Sequence, residues 1–190
     1  NKQMAIDMAT KDWVLQLDAD ERVTPGLAKE IQSIINNPSL KFNGYWLPRK
    51  NWFLGRFLTK GGQYPDYTLR LYRNGKGRLP QISVHEQAEV EGEIGYLRNP
   101  LIHLADPSFS RYIKRWGRYT NLIAKEIEDK NIGYNPVFAL KYIFVFPIWW
   151  FLLTYVRHKG FIDLWQGFVF SFFSSLRFPV AYFKYLKRKI

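Results

Sequence analysis

Apolar and polar positions along the chain mark out a series of short elements. Asn1 to Thr10 reads as the closing turns of a helix that starts before Asn1, and the opening lacks both Met and a signal or transit pattern, as a trimmed piece would. Trp13-Val14-Leu15-Gln16-Leu17 is a short apolar run that ends on Asp18-Ala19-Asp20-Glu21, the pattern of a buried parallel strand as it surfaces. Thr24-Pro25 supplies an N-cap and first helical position, Leu27, Ile31, Ile34 and Ile35 form one apolar stripe, and Asn36-Asn37-Pro38 stops the helix. Gly44 to Arg49 and Tyr67 to Tyr72 alternate as strands do, with a Gly-rich loop between them at Lys60-Gly61-Gly62-Gln63. Ile94 to Leu104 predicts a further strand broken at Asn99-Pro100. Ser108 then caps a long helix to about Lys130, on which Tyr112, Trp116, Tyr119, Ile123 and Ile127 recur at three- or four-residue steps.

Composition shifts near Pro136. From Lys141 to Ile190 there are eight basic residues against one acid, a net +7 of the chain's +12, and 17 of the 34 aromatic residues. The uncharged runs Tyr142 to Val156, interrupted by Pro147, and Leu164 to Leu176 are 15 and 13 residues long. A spanning helix needs about 20 apolar residues, so neither run is expected to cross a bilayer. The tail fits interfacial helices instead, with Trp149, Trp150, Trp165 and several Phe immersed and with Lys184, Lys187, Arg188 and Lys189 at anionic headgroups. The other reading packs these aromatics on the rest of the chain or on a second subunit.

At 190 residues, 47% hydrophobic and 23% charged, the chain has enough apolar surface for one domain with a core and a small appendage, which excludes wholesale disorder. The absence of cysteine removes disulfides, thiolate metal sites and cysteine nucleophiles. A net charge of +12 calls for a polyanionic neighbour, and basic residues set among Trp and Phe favour an anionic membrane over nucleic acid. No RNP-like strand or arginine-rich stretch supports an RNA-binding module.

Two carboxylates, Asp18 and Asp20, at the end of a strand suit a hard divalent cation, Mg²⁺ or Mn²⁺, that would clamp a diphosphate and offset the charge on a leaving nucleoside diphosphate. Two acids beside a turn also form a plain solvated loop. The segment Asp12-Trp13-Val14-Leu15-Gln16-Leu17-Asp18-Ala19-Asp20-Glu21 resembles the Asp-x-Asp region of family 2 glycosyltransferases with a GT-A fold. Tyr64-Pro65-Asp66-Tyr67-Thr68-Leu69-Arg70-Leu71-Tyr72-Arg73, then Val84-His85-Glu86, then His103 before a helix extend the match in order, in the manner of the lipopolysaccharide-core β-glucosyltransferase type.

The resemblance implies that Asp18 and Asp20 hold the metal and the donor diphosphate, that His103 joins the metal or diphosphate, and that Glu86 is the base in an inverting displacement. His85 would orient Glu86 or meet the acceptor. Asp66 and Arg70 are either a cross-strand pair or a sugar or phosphate contact, and Lys2 lies at the donor edge or in solvent. Glu86 taken alone reads equally as an exposed strand-end acid, and His103 as a core histidine. Gly61-Gly62 is a turn or a flexible loop over a sugar site, and Trp46, Trp52 and Phe53 are core or a stacking surface. In this family the strands for base and ribose precede the Asp-x-Asp strand, so they would lie before Asn1.

The expected fold is therefore α/β, a partial GT-A-like mixed sheet over residues 1–135, followed by amphipathic aromatic helices over 136–190 that associate with a membrane. The expected activity is sugar transfer from a nucleotide-sugar donor to a lipid-linked or lipopolysaccharide acceptor, peripheral to the cytoplasmic face of a bacterial inner membrane. A non-catalytic membrane-bound adaptor, with the acidic turn incidental, is the second reading.

Overall fold

The computed structural model describes residues 2–37, 39–80, 87–130 and 135–189. The chain is a mixed α/β protein followed by aromatic-rich helices, and it divides into two compact units, Asn1–Asn51 with Tyr64–Leu104, and Trp52–Gln63 with Ala105–Ile190. In chain order the strands are β1 (Trp13–Leu15), β2 (Glu21–Val23), β3 (Gly44–Phe53), β4 (Arg56–Phe57), β5 (Asp66–Arg73), β6 (Gly77–Arg78), β7 (Glu89–Val90), β8 (Ile94–Tyr96) and β9 (Leu101–Asp106). The first helices are α1 (Lys2–Asp7), α2 (Pro25–Ile35) and α3 (Phe109–Asp129).

The first unit is built on a sheet ordered β1-β5-β3-β9-β2, with β8 parallel to the start of β3. Leu27, Ile31 and Ile34 on one side of α2 pack against Tyr45, Leu47, Leu71, Leu97 and Leu101. Each such aliphatic side chain contributes roughly 1.5–3 kcal/mol by leaving water. Ile6 of α1 joins Leu69, Tyr72, Leu79 and Ala88 in a second cluster. Thr24 caps α2 as its sequence predicts, accepting from the Leu27 N–H at 3.2 Å while its hydroxyl donates to the Pro100 carbonyl at 3.0 Å. Gly26 next to it leaves room for the Asn99 amide, whose oxygen would lie 2.4 Å from a Cβ at this position.

Two expectations are corrected in this unit. β1 pairs antiparallel with β5, Trp13 opposite Arg73 and Leu15 opposite Leu71, and it ends the strand order with half-buried residues. An apolar run bounded by acids does not distinguish a two-sided parallel strand from an edge strand that is covered on one face. Asp66 and Arg70 are also not a cross-strand pair: both lie on β5, four residues apart and hence on one face, and the residue opposite Asp66 is Arg49 of β3.

In the second unit, the end of β3 turns back into β4 through Leu54-Gly55, both with positive φ, the two-residue hairpin geometry that suits the strand twist. Ser108 caps α3, accepting from the Arg111 N–H. Buried Ala124 and Ile127 of α3 meet Ala181, Tyr182 and Tyr185 of the C-terminal helix Leu164–Lys189. A third helix occupies Pro136–Arg157 and is long and apolar enough to cross a membrane by length and composition, which corrects the expectation drawn from the 15-residue uncharged run. Pro147 does not interrupt it. A π-helical stretch at Lys141–Val145 precedes the proline and makes room for a ring that lacks an N–H and would otherwise strike the carbonyl four residues back.

A short turn joins these two helices. The Asp163 carboxylate, 1% exposed, accepts from the Thr59 N–H, the Thr59 hydroxyl and the Lys60 N–H at 2.7 to 2.9 Å, with Arg56 at 3.7 Å. Gly61 donates to the His158 carbonyl at 3.0 Å. The Gly61-Gly62 segment, both residues at positive φ, is thus a turn held by this joint. Gly167 permits the close approach, since a Cβ there would lie 1.9 Å from the Gly160 carbonyl oxygen. Trp52 packs edge-on against Phe57, and Phe53 is buried against Tyr112, so both serve as packing residues.

Candidate active site

The acidic turn and the strands around it bring six of the sequence-predicted site residues into one polar chain inside the first unit. β2 follows the turn and pairs with β9, which sets Glu21 opposite His103, and the Leu104 N–H donates to the Asp20 carbonyl at 2.8 Å. The Gln16 N–H donates to the Arg70 carbonyl at 2.8 Å, so the strand that leads into the turn is tied to β5 beside the Arg70 side chain. Polar residues two apart on β3 (Arg49, Asn51) and four apart on β5 (Asp66, Arg70) share a face by strand periodicity.

The Asp18 carboxylate accepts from Lys2 on one oxygen and from Arg70 Nη2 on the other. Arg70, 6% exposed, also donates to Glu21 at 2.8 Å, and Glu21 lies 3.5 Å from Arg49 Nη1. Arg49 in turn grips Asp66 Oδ2 through Nε at 3.0 Å and Nη2 at 2.8 Å. Asn51 Nδ2 donates to the same Asp66 oxygen at 3.0 Å, and Asn51 Oδ1 lies 2.7 Å from His103 Nδ1. His103 Nε2 is then 3.7 Å from Asp20 Oδ1. Partial burial alone would raise the Asp18 carboxyl, but hydrogen bonds and positive charge from Lys2 and Arg70 outweigh it and hold the group below the usual carboxylate range.

The amide of Asn51 fixes the histidine's chemistry. A carboxylate only accepts, so the Asn51 nitrogen must face Asp66, which leaves its oxygen to accept the Nδ1–H of His103. In the neutral imidazole Nε2 is then the nitrogen without a proton, and it is the one beside Asp20. This is how a ligating histidine is oriented by its neighbours. Among the described residues, no group of three or more His, Asp or Glu side chains stands in a metal-holding arrangement. Asp20 and His103 nonetheless form an oxygen and nitrogen donor pair. Mg²⁺ and Mn²⁺ commonly take one or two protein ligands and complete their shell with phosphate oxygens and water, so the residues present fit such an ion.

Glu86 and His85 lie outside the described residues. Glu21, Arg49 and Asn51 carry much of the network and were not picked out by sequence reasoning. The available signal was their spacing: Arg49 and Asn51 alternate on a strand whose preceding residue on that face, Leu47, is fully buried. Trp46 stacks on Tyr96, ring centroids 6.4 Å apart, and Tyr96 also meets Tyr67 edge-on at 5.0 Å.

No family model matches the chain. It is 30% identical over 185 residues to a lipopolysaccharide core biosynthesis glycosyltransferase, LpsC, of Rhizobium meliloti, covering 93% of this chain and 67% of that protein. It is 25% identical over 188 residues to an uncharacterized glycosyltransferase of Rickettsia typhi, covering 93% of this chain and 63% of that protein. The chain thus spans about two thirds of the length of these relatives. Both relatives are described as glycosyltransferases, and by this similarity the chain belongs to the glycosyltransferases.

Proposed function

We propose that this chain forms the metal-binding and acceptor-side portion of a family 2, GT-A glycosyltransferase that inverts configuration. It would move a hexosyl group from a nucleotide-sugar donor to a lipid-linked or lipopolysaccharide-type acceptor. The observation that carries the reading is the single polar chain running from Lys2 and Asp18 through Arg70, Glu21, Arg49, Asp66 and Asn51 to His103 and Asp20. Residues from five separated stretches of the sequence meet there, as a donor-binding site requires.

In this reading Asp20 and His103 hold Mg²⁺ or Mn²⁺, with Asp18 as a further ligand. The bound ion would supply charge neutralisation for the departing diphosphate. Lys2 and Arg70, both paired with Asp18, would turn toward phosphate oxygens when donor enters and the carboxylate exchanges partners. Glu21, fully buried between Arg70 and Arg49, holds the two guanidinium groups in register. Glu86 would take the proton from the acceptor hydroxyl, with His85 beside it in sequence orienting that carboxylate or meeting the acceptor.

Membrane association belongs to the same proposal. The Pro136–Arg157 helix exposes Ile148, Trp149, Leu152 and Val156, and the C-terminal helix ends on Lys187, Arg188 and Lys189. A lipid-linked acceptor would meet the enzyme at the cytoplasmic face of the bacterial inner membrane.

The test uses the complete natural chain with a panel of sugar nucleotides and Mn²⁺ or Mg²⁺. Asp20→Asn and His103→Ala should each weaken Mn²⁺ binding, read by electron paramagnetic resonance, and abolish most transfer. Glu86→Gln should preserve donor binding and lower turnover by about 10²–10⁴-fold. Transfer that persists in chelator and is unchanged in Asp20→Asn would refute the metal assignment. Intact membrane binding with no sugar-nucleotide turnover under any condition would leave the adaptor.

A further inference from the structure

The helical unit contains two buried hydrogen-bond donors without acceptors, on Arg177 and Trp150. Arg177 of the C-terminal helix lies with its guanidinium carbon 4.3 Å from the Trp150 ring centroid, 4.8 Å from Phe178 and 5.9 Å from Tyr119. Its Nε is buried without a hydrogen-bond partner, and so is the indole Nε1 of Trp150. Among the described residues no carboxylate pairs with Arg177. Lys184, seven residues further along the same helix, points at the same turn of α3 that carries Tyr119, donating to the Gly117 carbonyl at 3.0 Å and the Thr120 hydroxyl at 2.7 Å. It too has no acidic partner among the described residues. At Gly117 the surface is open, since a Cβ there would meet nothing within 4 Å.

Orphaned buried polar groups in native proteins call for an explanation, and a half-buried cation without a counter-charge is costly. Here every orphan at the cluster is a donor. The ligand that satisfies donors and charge together is an oxyanion, and a phosphate suits a guanidinium fork best. The surroundings identify its source. Beside Trp150 on the same helix, Trp149, Ile148 and Leu152 are exposed, and only 6% of that helix's most apolar window is buried. Free phosphate gains nothing from such a surface, whereas the acyl chains of a phospholipid would cover it. Basic pockets among apolar helices are where anionic headgroups settle.

We propose that Arg177, with the Trp150 indole N–H and Lys184, forms a binding site for the phosphate of an anionic membrane lipid. The site rests on the membrane association proposed above, belongs to the helical unit alone and does not depend on the transferase chemistry. Cation–π contact with Trp150 and Phe178 preorganises the guanidinium, so that binding a headgroup exchanges no existing salt bridge.

The test is cosedimentation of the chain with phosphatidylglycerol-containing vesicles and with pure phosphatidylcholine vesicles at 0.5 M NaCl, where exposed lysines are screened to within about 4–5 Å. Wild type should retain a preference for phosphatidylglycerol. Arg177→Gln should weaken that binding roughly tenfold, the loss expected for a charge-assisted phosphate contact, while Lys125→Gln at an exposed position of α3 should change it little. Trp150→Phe keeps the ring and removes only the N–H. It should weaken binding a few-fold with an unchanged melting temperature, and it carries the test if Arg177→Gln fails to fold. Equal binding to both vesicles in high salt, or unaltered phosphatidylglycerol binding by Trp150→Phe and by a folded Arg177→Gln, would overturn the site. Full displacement from vesicles by millimolar inorganic phosphate would reassign it to free phosphate and overturn the lipid. None of these readouts involves sugar transfer, so failure here is separable from failure of the enzymatic reading.

Discussion

His103 Nδ1 and Asn51 Oδ1 stand 2.7 Å apart, and through Asn51 the histidine is coupled to the Asp66 carboxylate that Arg49 grips. The pair decides which imidazole nitrogen faces Asp20. In ¹⁵N spectra of the neutral protein, His103 should therefore be the Nδ1–H tautomer, and Asn51→Ala should return it to a mixture. With the metal held as proposed, the same substitution should cost Mn²⁺ affinity about 10–100-fold, as loss of an orienting partner does. A histidine already of mixed tautomer in wild type would remove Asn51 from this role.

Glu21 should be the least replaceable residue of the site for stability. Its side chain is fully buried between Arg70 at 2.8 Å and Arg49 at 3.5 Å. Glu21→Gln removes the carboxylate shared by the two guanidinium groups and leaves one positive charge of the network uncompensated, Arg70 keeping only Asp18 and Arg49 only Asp66, and urea denaturation should show a loss of about 3 kcal/mol. Replacing Glu21 and Arg70 together by Gln and Met should recover part of that loss, because the uncompensated charge goes with them.

Glu30 gives a pH-dependent signature remote from the site. Its carboxylate accepts from the Arg98 N–H, the Asn99 N–H and the Asn99 side chain at 2.8 to 2.9 Å. Partial burial raises its carboxyl, but these bonds and the Arg98 charge outweigh burial and hold it below its ordinary value of 4.5. A group depressed on folding stabilises the protein above its unfolded value and loses that contribution as pH falls through the folded one. Glu30→Gln should thus cost about 1–2 kcal/mol at neutral pH, allowing for its partial exposure. The gap to wild type should close as pH drops below the carboxylate range. Thermal melts across that interval decide, and a gap that stays constant would mean Glu30 acts by packing.

Asp163 holds the joint between the two long C-terminal helices to the Thr59-Lys60 loop. Asp163→Ala leaves two backbone N–H groups and the Thr59 hydroxyl unsatisfied, and it should destabilise the protein by about 3 kcal/mol or more. Hydrogen exchange should then accelerate at Thr59, Lys60 and Gly61 before other amides. Uniform acceleration along the chain would show that the joint opens only on global unfolding.

Local chemistry was legible in the sequence wherever a single residue type fixes a local geometry. Thr24-Pro25 and Ser108 start helices because their side chains and φ values allow little else, and the Asp18-x-Asp20 turn follows an apolar strand as expected. Glu21, Arg49 and Asn51 escaped notice because their roles come from register. Only the pairing of Arg49 with Asp66, and of Glu21 with His103, turns isolated surface-like charges into a buried network. The direction of β1 was hidden for the same reason, since its partner β5 comes some fifty residues later. The Pro136–Arg157 helix was missed by counting only uncharged residues: Lys141 divides the apolar sequence but not the helix.

The strand pairings also set an order of events as the chain folds. Glu21 meets Arg70, its neighbour His103 comes 82 positions further along the chain, and the sheet closes only when β9 docks beside β2. Loop closure over such separations is slow and costs entropy before any contact compensates it. On a ribosome the acidic turn would emerge long before its arginines, as a solvated loop with no shape of its own. Its carboxylates acquire fixed positions in one late cooperative step, together with the sheet, so a chain halted before Leu101 carries the motif but not the site.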